Sequence, residues 1–169
     1  MPRYIKPEFY AEHQSPVSAE NQRQRQDAFV SLLRLEPAVL NDVLPSTGIL
    51  GPGRYAGAAF SSSVHLSALG PSISTGEVNF KAGSSGIILG VIFKQPITIQ
   101  NGVNVQFNGC VFQQPITVVS GGKVVCSGCR FDGDSAILNA GVNADAASVG
   151  CVKTSATSHT NTTIIGEVT

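Results

Sequence analysis

A stretch of 19 residues is repeated in tandem at the centre of this chain. Phe93–Val111 (FKQPITIQNGVNVQFNGCV) aligns with Phe112–Arg130 (FQQPITVVSGGKVVCSGCR). Phe93 meets Phe112, Gln95 meets Gln114, Pro96 meets Pro115, Ile97 meets Ile116 and Thr98 meets Thr117. Farther on, Gly102 meets Gly121, Val105 meets Val124, Gly109 meets Gly128 and Cys110 meets Cys129. A fixed period of this length means coils or stacked units, each burying its apolar face on its neighbours. The register extends backwards: Val78 and Phe80 fall on Ile97 and Ile99, and Ile88 falls on Phe107. It also extends forwards. Phe131 opens a further copy, in which Ile137 is aligned with Val118 and Ala140 with Gly121. Three extra residues are placed near Val142–Ala147, before Gly150 and Cys151. About four rungs result, from roughly residue 77 to 152.

Inside each rung the apolar residues alternate, as in Ile97, Ile99, Val103, Val105 and Phe107. Alternation on Val, Ile and Phe, with Asn-Gly or Gly-Gly between the runs, is the pattern of short strands joined by tight turns. Strands of this length stacked on their own copies form a parallel β-solenoid. Its rise is about 4.8 Å per turn, so four turns span roughly 20 Å. Two columns follow from the register. Val78, Phe80, Ile97, Ile99, Ile116, Val118 and Ile137 face inward, and Phe93, Phe112 and Phe131 form a separate aromatic stack. The outward positions include Gln95, Gln114, Thr98, Thr117, Asn104, Gln106, Asn108 and Ser127. Their amides and hydroxyls can satisfy one another from rung to rung, or can form a sugar-contact face.

The chain before the repeat has another character. Residues 1–17 are an extended arm mixing Pro, Tyr and charge. Ser18 caps a helix running from Ala19 to Glu36, and Ala38–Leu44 form a second short helix stopped by Pro45. The first helix has a Gln/Arg-rich polar half and an apolar half with Phe29, Leu32, Leu33 and Leu35. A lone helix of this length is marginal in water, so this apolar half either caps the solenoid or docks on a partner. Tyr4, Phe9 and Tyr10 in the arm are aromatic anchors of the kind that dominate interfaces. The expected organisation is an arm and helical anchor over residues 1–44, a Gly/Ser-rich neck or degenerate first turn over 45–76, and the solenoid with a C-terminal cap over 77–169. A final strand is expected at Thr163–Ile165.

Chemistry is sparse. The 11 basic and 11 acidic residues balance, so there is no electrostatic footprint for nucleic acid. No apolar run is long enough for a membrane span. The first ten residues lack a signal-peptide core, so the chain is expected to be made in the cytoplasm. Cys110, Cys129 and Cys151 hold equivalent positions, and Cys126 holds that of Phe107. Cys126-Ser-Gly-Cys129 reads either as half a zinc site or redox pair, or as part of an inward ladder of small apolar side chains. Many parallel β-helices cleave polysaccharides with clustered carboxylates. Here Asp132, Asp134 and Asp145 are the solenoid's acids, and Asp132-Gly-Asp134 has the composition of a turn. No catalytic residue, metal site or cofactor is expected.

The arm MPRYIKPEFY, the Gln/Arg helix, the Gly/Ser-rich neck and the small solenoid, with rungs of the Asn108-Gly-Cys110-Val-Phe112 type, together resemble virion structural proteins of tailed bacteriophages. The likeness is to the small β-helical decoration, fibre and spike type. It implies a non-enzymatic homotrimer carried on the virion, anchored through its N-terminal region to capsid or tail proteins. Capsid decoration or head fibre is the favoured role. A tail fibre, tailspike or adaptor that touches a host surface glycan is the next. A bactofilin-like polymer-forming protein and a small polysaccharide-active enzyme are the two other classes that fit a short solenoid.

Overall fold

The computed structural model describes residues 39–169, with side chains described from Val43 onward. The arm, the helix at Ala19–Glu36 and the anchor residues Tyr4, Phe9, Tyr10, Phe29, Leu32, Leu33 and Leu35 lie outside the described residues. The described residues are mainly β and contain no helix; they form a parallel β-solenoid of about six turns with about 19 residues per turn.

Each full turn contributes to three walls. The first wall is a separate five-stranded sheet of β4 (Ala58–Phe60), β6 (Val78–Phe80), β8 (Ile97–Ile99), β11 (Ile116–Val118) and β14 (Leu138–Ala140). The second holds β2 (Thr47–Leu50), the first part of β5 (Ser63–Ser74) and of β7 (Ser85–Phe93), β9 (Asn104–Asn108), β12 (Lys123–Ser127), β15 (Asp145–Val149) and β17 (Thr163–Ile165). The third holds β1 (Val39–Val43), β3 (Gly53–Ala56), the remainder of β5 and β7, β10 (Val111–Phe112), β13 (Arg130–Phe131) and β16 (Val152–Lys153). Because β5 and β7 run round the corner, the second and third walls are one hydrogen-bonded sheet. Every strand pairing is parallel.

The repeat is realised residue on residue. Ile97 pairs with Ile116, Phe93 with Phe112, Phe112 with Phe131, and Phe107 with Cys126. Strand alternation sends Val105, Phe107, Val124 and Cys126 inward, where all are buried. The aromatic stack forms as the sequence implies, with ring centroids 5.6 Å apart for Phe93–Phe112 and 5.2 Å for Phe112–Phe131. Phe107 meets Phe93 and Phe112 edge-on, locking this stack to the second wall. The corner between the second and third walls needs a left-handed residue. Gly109, Gly128 and Gly150 occupy it with φ of 59°, 57° and 57°, a conformation that glycine adopts without a Cβ penalty.

Four expectations are corrected. Ala38–Leu44 is not helical: Val39–Val43 form β1, paired with β3, because a neighbouring strand edge supplies partners that a seven-residue helix lacks. The rungs number about six rather than four. Residues 45–76 contain β2, β3, β4 and all of β5, in register with the following turn at Ala58↔Val78, Val64↔Gly86 and Tyr55↔Ser74. Composition conceals these turns because hydroxyls take inward places. Ser72 and Ser74 are fully buried and donate to the carbonyls of Gly51 and Gly76. A bulge between Ser67 and Ser72 also breaks the spacing and leaves Leu69 exposed.

The third correction concerns the last full turn. Ala140, not Ile137, pairs with Val118, and Leu138 pairs with Ile116. Ile137 takes the place of Pro115, its carbonyl accepting from Ile116 N–H as that of Pro115 does from Ile97 N–H. The added residues therefore lie between Phe131 and Leu138, not near Val142–Ala147. Leu138 gives the larger buried side chain at the inward position, with Asn139 outside and Ala140 inside. Fourth, the amide ladder does not form among the described residues. Gln106 donates to Asn108 within its own strand, because its neighbours across the turns are Ile87 and Val125.

Candidate functional site

The outer surface of the second wall carries two shallow hollows. Its middle column runs Thr47, His65, Ile87, Gln106, Val125, Ala147 and Thr163, each paired with the next. Alternation within each strand directs these side chains away from the core, opposite to Val64, Leu66, Ile88, Val105 and Phe107. The two hollows lie side by side and share His65 and Ile87. One, of about 250 Å³, is lined by His65, Ser85, Gly86, Ile87, Asn104 and Gln106. The other, of about 220 Å³, is lined by Thr47, Gly48, Leu66, Ser67 and Leu89 besides the shared pair. Gly86 is the inward-facing residue between Val64 and Val105, where a Cβ would lie 2.9 Å from the Cβ of Val64. The first hollow offers imidazole, hydroxyl and amide groups beside one aliphatic side chain. That set can exchange hydrogen bonds with a hydroxyl-rich ligand.

The acids singled out in the sequence are engaged locally. Arg130 donates to Asp132 at 3.0 Å, and the Thr154 hydroxyl lies 3.3 Å from the same oxygen. Gly133 N–H donates to Thr154 at 2.9 Å, so the Asp132-Gly-Asp134 segment is a closed turn. Asp145 pairs with Lys123 at 3.7 Å on the exposed face of the second wall. The structure does not bring Asp132 and Asp145 into one groove: Asp132 follows the third wall and Asp145 lies in the second.

The four cysteines are free and buried. Cys110, Cys129 and Cys151 form an inward column beside the glycine corner, and Cys126 faces inward from the second wall at the level of Phe107. Cys110 donates to the carbonyl of Ile88, Cys129 to that of Phe107 and Cys151 to that of Cys126. Each thiol thus bonds a carbonyl contributed by an earlier turn. Cys129 is the hub. Its hydrogen bond to Cys110, helped by backbone bonds, pulls the Cys110 thiol below its ordinary value despite burial. Burial, followed by the interaction with Cys129, raises Cys126; Cys129 and burial raise Cys151. Among the described residues no group of three or more His, Cys, Asp or Glu side chains is arranged to hold a metal ion.

One constellation escaped the sequence reading. At the C-terminal end the His159 side chain is wholly buried, with its ring centroid 4.6 Å from that of Phe131. Leu138 N–H donates to His159 Nδ1 at 2.9 Å. Nδ1 is therefore the acceptor, and the proton of the neutral ring sits on Nε2, 2.8 Å from Glu167 Oε2. Ser148 Oγ donates to that same oxygen at 2.8 Å. The trio has the composition of a serine-hydrolase triad but not its order. Glutamate stands in the middle and both ring nitrogens are occupied, so no imidazole nitrogen faces the serine hydroxyl. No period marks His159 and Glu167, since they lie beyond the repeat, and Ser148 is hidden at a position that holds Cys126 one turn earlier. The available signal was a lone His next to a final strand.

Comparison with known proteins finds no matching family model, no matching curated protein and no matching solved structure.

Proposed function

We propose that this protein is a structural component of a bacteriophage virion, a non-enzymatic homotrimeric capsid decoration or head fibre whose solenoid projects from an N-terminal anchor. The observation that carries the reading is a regular β-rod whose carboxylates serve local structure. Asp132 closes a turn with Arg130 and Thr154, and Asp145 pairs with Lys123 on the surface. The outward wall is set with amides, hydroxyls and small aliphatic residues, as suits a spacer or display element. The anchor would be residues 1–36, where Tyr4, Phe9, Tyr10, Phe29, Leu32, Leu33 and Leu35 concentrate aromatic and aliphatic surface. Interfaces draw most of their energy from such residues, and closed symmetry is the common way to bury them.

The test is a deletion of residues 1–36, which leaves β1 in its sheet. The truncated chain should retain its β-sheet circular dichroism signal while losing its trimeric mass in ultracentrifugation and its association with purified particles. Retained particle binding would place attachment in the solenoid and defeat the proposal. So would a full-length chain that sediments as a monomer and is absent from particles by mass spectrometry.

One observation favours a second role on the same rod. The hollow of His65, Ser85, Asn104 and Gln106 has the donor and acceptor groups to contact a host surface glycan. This would make the chain a receptor-touching fibre or adaptor. Glycan-array binding that is lost on Gln106→Ala would support it, and an array without signal would remove it.

A further inference from the structure

The final residues close all three walls at once. Thr160 bridges to Asn139 of the first wall, β17 pairs with β15 of the second, and Val168 bridges to Val152 of the third. Thr160 N–H donates to Leu138 and accepts, through its carbonyl, from Ala140. Lys153 N–H donates to Val168, and Val168 N–H to Cys151. A solenoid needs such a cover, because unpaired parallel edges are templates for another chain. The cover is tied down by side chains, with Asn161 donating to Ala140 and Ser148 to Glu167. At the middle of these ties is His159. Its Nδ1 occupies the place where a next turn would have offered Leu138 a carbonyl.

We propose that protonation of His159 releases the segment 154–169 from the end of the solenoid, making the C-terminal cap an acid-operated closure. An imidazolium has no lone pair on Nδ1. Leu138 N–H would then lose its acceptor and face another N–H in a site without water access, which is costly for a buried donor. The charged groups acting on the ring are Glu167 in the cap and Lys153 on β16. Glu167 favours the cation, whereas burial and Lys153 oppose it, and burial is the largest influence. On the other strands packed there, Arg130 of β13 is exposed and pairs with Asp132, and Asp145 of β15 is exposed and pairs with Lys123. Neutral His159 thus fits the closed end, and the cation fits the open one. Release would uncover the edges of β14, β15 and β16 together and make the rod competent to pair end-on under acid.

Hydrogen exchange of the full-length protein tests this, with rates corrected for the intrinsic pH dependence. Between pH 7.5 and 5.5 the amides of Thr160, Val168 and Lys153 should lose protection by up to ~10-fold, the limit that linkage sets for one group with an open-state pKa of 6.5. The amides of Val105 and Val124 in the central turns should not change. The loss should begin as pH falls below the ordinary imidazole value of 6.5 and level off only once the His159 ring of the closed protein titrates by NMR in the same wild-type sample. In His159→Gln the side-chain oxygen can accept from Leu138 while its NH₂ donates to Glu167. Protection of the cap should then be independent of pH over this range. Protection that persists to pH 5.5, or that falls equally in His159→Gln, overturns the proposal.

Discussion

The central turns and the C-terminal end solve the same problem with different chemistry. Between Phe93 and Arg130 every strand has a copy of itself on either side, and the core is aromatic and aliphatic. Phe112 is stacked between Phe93 and Phe131 and is met edge-on by Phe107. Past Lys153 there is no further full copy. The last ladder groups are met by an imidazole, an amide and a hydroxyl–carboxylate pair. In the first region each new turn repeats an apolar contact that pH does not alter. In the second, specific polar groups substitute for a missing turn, and their fit depends on protonation. Within this solenoid, repetition secures the middle and titratable side chains secure the end.

The contrast breaks most sharply at Phe112. Phe112→Ala removes the central ring of the stack and leaves a cavity enclosed by Phe93, Phe107 and Phe131. The expected cost is about 3–5 kcal/mol, read as a lowered urea midpoint with an unchanged slope. A loss near 1 kcal/mol would mean that the neighbouring rings collapse into the space and that the stack is not a rigid column.

A smaller effect sharpens the other half. The folded-state pKa of His159 lies below its ordinary value of 6.5 because the ring is buried. Above that value both folded and unfolded chains hold a neutral ring. As pH falls below 6.5 the unfolded chain takes up the proton first, so stability should decline until the folded-state pKa is passed and then level off. Urea midpoints between pH 7.5 and 5 should therefore fall in the wild type and in Phe112→Ala alike. They should stay level in His159→Gln. A slope that survives in His159→Gln would assign the titration to another group.

The smallest change is expected at the turn acid. Arg130 and Asp132 are both partly solvent-exposed, and exposed ion pairs contribute roughly 0–1 kcal/mol. Asp132→Ala should shift the midpoint by no more than that and leave any association with particles intact. A glycan-degrading activity that disappears in this variant would contradict the structural role assigned to the turn.

How far the sequence could be read follows the same division. The register of Phe93–Arg130, the aromatic column, the buried cysteines and the last strand at Thr163–Ile165 were all legible, because two copies of one pattern calibrate each other. The two earlier turns were hidden where Ser72 and Ser74 stand inward and satisfy themselves on backbone carbonyls. Their polarity reads as linker until the hydrogen bonds are known. The slip at Ile137 arose because the three added residues can be placed on either side of this strand without breaking the apolar pattern, and only the pairing of Leu138 with Ile116 and Ala140 with Val118 puts them before it. The hollow around His65 and the His159 closure were illegible for a common reason. Each gathers residues from different turns: His65 with Asn104 and Gln106, His159 with Leu138, Ser148 and Glu167. Spacing carries no mark of such assemblies once the register has been broken by a bulge or an insertion.

Because all strands pair in parallel with the preceding and following turns, the backbone hydrogen bonds lie along the axis of the rod. A pull along that axis loads them one turn at a time instead of all together. The chain should therefore peel from an end, each 19-residue turn paying out about 60–65 Å of extended polypeptide as its own small event. Force spectroscopy on the tethered protein would register such a series as evenly spaced steps. A rod built this way yields by lengthening under tension before it detaches, and the cap held by His159 decides at what load the first turn lets go.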